Sequence, residues 1–457
     1  MKNKKLIIIL AIVVIMIPIA YNLFSDHTYH LEHATESVRN QALAVLKDND
    51  CMACHSVNSV APPYSVLPII GETIKKDMEF GKRSLLLDDV VATLENDGLV
   101  GEVDLAKIEH AVDANTMPPK PYTAIHWGAN IKKNEAEVIK KWVAHERMNN
   151  YKSMSASAEF ALEPIRPIET EFAVDANKVA LGNQLFHDTR LSANNTISCA
   201  TCHDLAKGGT DQLPVSIGIH DQEGPINSPT VYNAVYNLAQ FWDGRAHDLQ
   251  AQAAGPPMDA KEMGNNSFDD IVERLSADKE LVKQFANLYT EGITQNSITD
   301  AIAEFEKTLV TPNAPFDKYL KGDKDAITVR QAEGYDVFKR VGCVSCHVGE
   351  AIGGQSFEHM GIFDNGFALR GSSIETADKG RAKFTGDEKD NFKQKTPTLR
   401  NIALTAPYFH DASANSLEEA VSAMAKYQVK ENVTQEEITL ITEFLESLTG
   451  EYNGQSL

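Results

Sequence analysis

Cys51-Met-Ala-Cys54-His55, Cys199-Ala-Thr-Cys202-His203 and Cys343-Val-Ser-Cys346-His347 decide how this chain is read, and together they hold all six of its cysteines. Cys-x-x-Cys-His is the attachment pattern of c-type haem. The two thiols add to the vinyl groups of one haem, and the neighbouring histidine binds the iron. A zinc ribbon needs paired Cys-x-x-Cys units roughly 15–20 residues apart, which these are not. A thioredoxin-like dithiol leaves the three following histidines unexplained. Structural disulfides would compete for the same thiols. Three covalent haem c groups are therefore expected, held by Cys51 and Cys54, Cys199 and Cys202, and Cys343 and Cys346, with His55, His203 and His347 on the irons.

Working outward, the 457 residues suffice for about three domains of roughly 150 residues each. Composition is that of a folded globular chain, with 43% hydrophobic and 23% charged residues. Sixty-four acidic against 43 basic residues give a formal charge of −21. So acidic a chain has no general attraction for phosphate backbones, and no nucleic-acid partner is expected.

Residues 6–24 are almost wholly apolar, preceded by Lys2, Lys4 and Lys5 and followed by Asp26 and Glu32. As a helix this run would be about 28 Å long, near the hydrocarbon thickness of a bilayer. Pro18-Ile19-Ala20 makes a poor cleavage site, so an uncleaved anchor is expected over a removed leader. The lysines put the N-terminus in the cytoplasm, giving a single span in the cytoplasmic membrane with the haem domains in the periplasm.

Helical periodicity flanks the motifs at 84–96, 134–149, 176–187, 268–275, 298–309, 417–427 and 435–448, and strand signals are sparse. Residues 151–170, rich in Ser, Ala, Pro and Glu, read as an exposed linker. The expected fold is mainly α, three cytochrome c-like haem domains after an N-terminal transmembrane helix. The boundaries are 1–25 for the anchor, 26–160 for the N-terminal haem domain, 161–325 for the second and 326–457 for the third.

The sixth iron ligand decides each haem's task, since a methionine or second histidine closes the iron while an open position admits substrate. For the first haem Met117 is preferred over Met78, His110 and His126, because Pro118 and Pro119 stiffen its loop. For the third, Met424 stands in a helical stretch downstream of the motif. The second has no evident methionine, and His187 and His220 are its nearest histidines. Two closed electron-transfer haems and one reactive haem follow.

From 174 to 450 the chain resembles the bacterial dihaem cytochrome c peroxidases. The matching stretches are Leu181-Gly-Asn-Gln-Leu-Phe-His-Asp-Thr-Arg-Leu-Ser, Gly224-Pro-Ile-Asn-Ser-Pro-Thr, Leu238-Ala-Gln-Phe-Trp-Asp-Gly-Arg, Gln252-Ala-Ala-Gly-Pro and Leu399-Arg-Asn-Ile-Ala-Leu-Thr-Ala-Pro-Tyr-Phe-His. The extra N-terminal haem region resembles the trihaem, membrane-anchored subgroup that includes quinol peroxidases. The resemblance implies reduction of hydrogen peroxide to water at the His203 haem, with electrons from the haem on His347 and Met424. Glu262 would be the distal acid–base residue, Gln252 the amide that positions peroxide, and Trp242 the residue between two haems. Asn227 with the backbone of Thr405 and Pro407 would hold calcium. Quinol or a small cytochrome c would be the donor, and a homodimer is implied. Many members carry a distal histidine that blocks the resting iron. Gapless counting from Gly224-Pro225 puts Ile219 there and His220 one residue later. Two readings stand: His220 reaches the iron, or the iron is open in every state. The rivals are the tryptophan-modifying dihaem oxidases, which use Tyr in place of Met424 (Tyr427 is close by), and a non-enzymatic electron-transfer or redox-sensing protein.

Overall fold

The computed structural model describes residues 34–123, 130–169, 172–367, 370–371, 373–429 and 432–457. They fall into two compact units that divide between Lys152 and Ser153. Both are built from helices, with two two-stranded ribbons among the described residues. The expected transmembrane helix is corrected. No helix among the described residues is long and apolar enough to cross a membrane. The longest, Ile70–Ser84, has 15 residues and bears Glu72, Lys75 and Lys76. It is short of the roughly 20 apolar residues a span needs. Residues 6–24 lie outside the described residues. The single-span, periplasmic placement that rested on them falls with the helix.

In the first unit, α1 (Val38–Asp48) starts where Ser37 Oγ accepts from the Asn40 amide at 3.2 Å. That satisfies one of the donors a helix start leaves free. The longer helices that follow are α2 (Ile70–Ser84), α3 (Asp88–Glu95), α4 (Glu102–Asp113) and α5 (Lys133–Glu146). The apolar positions of α1 and α5 meet, burying Ala42, Val45, Ile139 and Trp142 together. Trp142 donates its Nε1–H to Glu146 Oε1 at 3.0 Å, and Arg39 pairs with the same carboxylate at 2.6 Å.

The second unit repeats one crossing twice. Helix α6 (Ala176–Phe186) packs on α10 (Gln295–Glu306), with α7 (Leu249–Ala253), α8 (Phe268–Ser276) and α9 (Lys279–Leu288) between them in the chain. After α11 (Pro315–Leu320), helix α12 (Val329–Arg340) packs on α14 (Gln435–Glu446), with α13 (Leu417–Gln428) before the last. A Cβ on Gly182 of α6 would lie 1.8 Å from the Ala301 carbonyl oxygen. One on Gly334 of α12 would lie 2.0 Å from that of Leu440. Only glycine lets these backbones touch, and Phe305 and Phe444 flank the two contacts in the same way. Thr294, Thr328, Ser416 and Thr434 cap α10, α12, α13 and α14 through their hydroxyls. Between α12 and α13, β1 (Phe357–His359) pairs antiparallel with β2 (Lys393–Lys395).

Residues 153–168 are not an exposed linker. Phe160 and Ile165 join the core of the α12–α14 module, and Ile168 is also buried. The Gly349 amide donates to the Pro164 carbonyl at 2.8 Å, and Arg166 pairs with Glu350 at 2.9 Å. The Ser- and Pro-rich composition concealed a few apolar residues spaced to reach one surface.

Candidate active site

The three motif histidines share one arrangement. A ring nitrogen is held by a backbone carbonyl: His55 Nδ1 to Leu85 at 2.8 Å, His203 Nδ1 to Gly209 at 3.3 Å, His347 Nδ1 to Ile352 at 3.0 Å. Each bond fixes Nδ1–H as donor and leaves Nε2 with its lone pair, the form in which imidazole binds a metal. Burial lowers the basicity of all three rings, and that of His347 to about 4, so they stay neutral. The six cysteines form no disulfides. Burial, then Asp50, pushes the Cys51 thiol up to about 12, and burial, against a hydrogen bond with Ser216, pushes the Cys202 thiol to about 11. Largely buried thiols outside any disulfide, beside a neutral imidazole, suit thioether attachment, so the residues fit haem at each motif.

Around the third motif there is a cavity of about 250 Å³. Cys343, Cys346 and His347 line it, and so does Met424 from α13, which the structure brings to the motif across 76 intervening residues of chain. Met360 lines it too, a second thioether the sequence reading passed over. Tyr427 is buried and is not among the lining residues. Asn227, Thr405 and Pro407 also line this cavity. Asn227 Nδ2 donates to the Leu213 carbonyl at 2.8 Å, which leaves Oδ1 as the atom able to offer itself to a cation. Trp242 also lines the cavity. Its Nε1–H donates to the Asn227 carbonyl at 3.0 Å, and its ring meets His410 edge-on at 6.1 Å.

At the second motif, Glu262 is half-buried on the loop after α7. Burial, reinforced by Asp259 and opposed by Arg245, raises its carboxyl to about 7. Its charge is felt by the Cys202 thiol, so it lies within electrostatic reach of the motif. The loop is clamped. The Ile219 amide donates to the Glu262 carbonyl at 2.9 Å, and a Cβ on Gly218 would lie 2.0 Å from the Lys261 carbonyl oxygen. In that clamp Ile219 is buried, while His220 is exposed with a left-handed φ of 57°. Gln252 is half-buried on α7. His187 is exposed, bonded to the Asn183 carbonyl.

In the first unit Met117 is half-buried. The short helix Lys120–Thr123 that follows it lies against the first motif, since burial and then Tyr64, Cys54, Asp50 and Cys51 push the Tyr122 hydroxyl up to about 12. Met78 is buried on α2, whose Gly81 backs directly onto the Cys54 carbonyl at 3.0 Å from an added Cβ. His110 lies in the last turn of α4, and His126 lies outside the described residues.

A family profile described as di-haem cytochrome c peroxidase matches residues 176–325, and one described as haem-binding domain matches residues 9–145. The chain is 44% identical over 416 residues to the cytochrome c peroxidase Ccp of Escherichia coli (strain K12), covering 91% of this chain and 89% of that one. The chain belongs to the di-haem cytochrome c peroxidase family. This peroxidase is also 46% identical over 299 residues to the cytochrome c551 peroxidase of Nitrosomonas europaea, covering 65% of this chain and 87% of that one. Among solved structures it resembles a MauG-like protein associated with microbial copper homeostasis, at TM-score 0.55 and 28% identity over 63% of this chain and 93% of that one. The peroxidase binds haem and is an enzyme.

Three groups of this peroxidase were not foreseen. His410 is buried with Nε2 2.8 Å from Asp378 Oδ1, and Arg370 pairs with Asp378 and with Asp411. Lys395 and Glu306 are buried. His410 and Lys395 stand in or next to segments whose pattern is visible, but burial arises from partners far along the chain. Glu306 closes α10 with Oε2 lacking a hydrogen-bond partner among the described residues, and burial raises its carboxyl to about 8. It therefore takes up a proton on folding that the unfolded chain releases near 4.5. Stability should fall as pH rises from about 4.5 through 8, by on the order of a few kcal/mol. Thermal melts of Glu306→Gln over pH 5–8 are expected to lose this slope. An identical slope in the variant would assign it elsewhere.

Proposed function

We propose that this peroxidase carries three haem c groups and reduces hydrogen peroxide to water at the His203 haem, with electrons from a small c-type cytochrome. The observation that carries the reading is the Glu262 carboxyl, raised to about 7 and within electrostatic reach of Cys202 of the second motif. Haem bound through His203 would supply the iron at which peroxide binds and its two electrons arrive. The residues do the rest. A carboxyl poised near neutral pH takes the proton from the nearer peroxide oxygen and returns it to the farther one as the O–O bond breaks. Two protons and two electrons then complete two waters. The Gln252 amide is the group assigned to hold peroxide in line with that transfer. The main-chain clamp at Gly218 and Ile219 keeps Glu262 in place.

Met424 on the cavity wall with the third motif supports a closed, electron-supplying haem there, and Met117 is assigned the same task in the first unit. The absence of Tyr427 from that wall favours the peroxidase over the tryptophan-modifying reading. Trp242 is proposed as the bridge between the second and third haems. Calcium on Asn227, Thr405 and Pro407 would tie Trp242 to the same wall, because Trp242 bonds to the Asn227 backbone.

The name of the Nitrosomonas relative supports a cytochrome donor. A second donor, quinol, is favoured by one observation: Val60, Val66 and Ile69 stand exposed between the first motif and α2, an apolar surface suited to a quinol ring. The test measures peroxide-dependent oxidation of each donor by holoprotein with its haem count fixed by mass. Turnover with reduced small cytochrome c is expected. Turnover with quinol alone moves the donor, and silence with both sinks the reading.

A further inference from the structure

Lys395 ends β2 at 6% exposure. Its backbone N–H donates to the Trp242 carbonyl at 2.8 Å, and its Nζ donates to the Ala239 carbonyl at 3.0 Å. An ammonium carries three N–H donors, and that carbonyl is its one hydrogen-bond acceptor among the described residues. It has no ion-pair partner among them either. Asp243 is the carboxylate it senses, and Asp243 is paired with Arg245 at 3.0 Å. Burial pushes the ammonium down to about 8, the mark of a cation held out of water without an anion. Buried charges are ordinarily paired.

The missing anion has a place to be. Lys395 lines the cavity that holds Cys343, Cys346, His347 and Met424, and it is the single Lys or Arg among the lining residues. Haem carries two propionate carboxylates, the anionic groups that attachment at those cysteines would bring into this space.

We propose that Lys395 binds a propionate of the haem joined to Cys343 and Cys346, and that its charge raises the reduction potential of that haem. This rests on the reading of the third motif as a haem site. A fixed cation favours the reduced iron, which carries one positive charge fewer, and the effect is strong where water is excluded. The same residue grips the 239–242 segment through Ala239 and Trp242. It therefore ties the carboxylate edge of that haem to the tryptophan assigned to electron passage.

The test uses full-length holoprotein. Mass measurement first counts attached haems. Loss of the haem at Cys343 and Cys346 in the unaltered protein would remove the reading beneath the proposal, not the proposal alone. Spectroelectrochemical titration of Lys395→Met should then show roughly tenfold less reduced Met-ligated haem at a fixed poise, the factor about 59 mV represents for one electron. The other haems should hold their potentials, and Lys395→Arg should restore the shifted one. Unchanged potentials in Lys395→Met, with every haem attached, overturn the proposal. If Lys395→Met does not fold, resonance Raman propionate bending bands decide between wild type and Lys395→Arg. A shift supports direct contact, and identical bands overturn it. A wild-type potential that moves with added acetate or phosphate, with no movement in Lys395→Arg, would make a free anion the ligand and overturn the propionate assignment.

Discussion

Glu262→Gln is expected to lower peroxide turnover by roughly 10²–10⁴-fold, the range a positioned acid–base group contributes, with every haem still attached. Gln fills the same space, and the Ile219 amide bonds to the Glu262 backbone, which the substitution leaves alone. The wild-type pH profile carries the same information. The carboxyl is raised to about 7 by burial and by Asp259, against the pull of Arg245. Its ionised form is the base, so turnover should drop as pH falls through about 7, and this limb should vanish in Glu262→Gln. Asp259→Asn removes one of the raising charges and should move the limb to lower pH. Stopped-flow peroxide reduction against pH checks all three. Turnover in Glu262→Gln within threefold of wild type would refute the assignment.

Asp317→Asn is expected to cost the second unit about 3–5 kcal/mol. Asp317 and Arg400 are both fully buried and pair at 2.7 Å. Arg400 also donates to the Glu350 carbonyl at 2.8 Å and the Arg166 carbonyl at 2.9 Å. One guanidinium thus joins α11, the residues after the third motif and the 153–168 segment. Neutralising Asp317 strands a full charge where no water reaches. Urea unfolding should show the loss as a lower midpoint at unchanged slope. Lys47→Ala, which breaks an exposed pair with Glu95, is the control and should cost under about 1 kcal/mol. Equal midpoints for Asp317→Asn and wild type would show that Arg400 finds its compensation elsewhere.

What the sequence disclosed follows from how local each feature is. A thioether site needs its two cysteines and histidine contiguous, so the motifs are legible without a fold. Helices whose apolar positions recur every three or four residues are legible too: the 417–427 and 435–448 patterns become Leu417–Gln428 and Gln435–Glu446. The 84–96 pattern was less faithful, because Ser84 ends one helix and Asp88 begins the next. Glu262 was found by resemblance, since a lone glutamate in a loop gives no periodic signal. Its raised carboxyl depends on burial against residues 216–222, some 40 positions earlier. Lys395, His410 and Glu306 escaped for the same reason. A lysine in a polar triplet such as Lys393-Gln394-Lys395 reads as solvent-facing until the strand pairing and the Trp242 contact are known. The membrane-span reading failed differently. It rested on residues 6–24 and the charges that flank them, which lie outside the described residues, and no described helix meets the length and apolarity required.

The two glycine-backed crossings bear on the order of events during synthesis. In each, the helix that precedes the cysteines is closed by one that follows them by about a hundred residues, at Ala301 for the first and Leu440 for the second. Closure over such a span is slow and comes late. While the chain is emerging, each pair of thiols would therefore hang from an unfinished module, open to attachment of the proposed haem. The arrival of the last helix would then enclose it. The module is a clasp left undone until its contents are in place, and Gly182 and Gly334 are where it shuts.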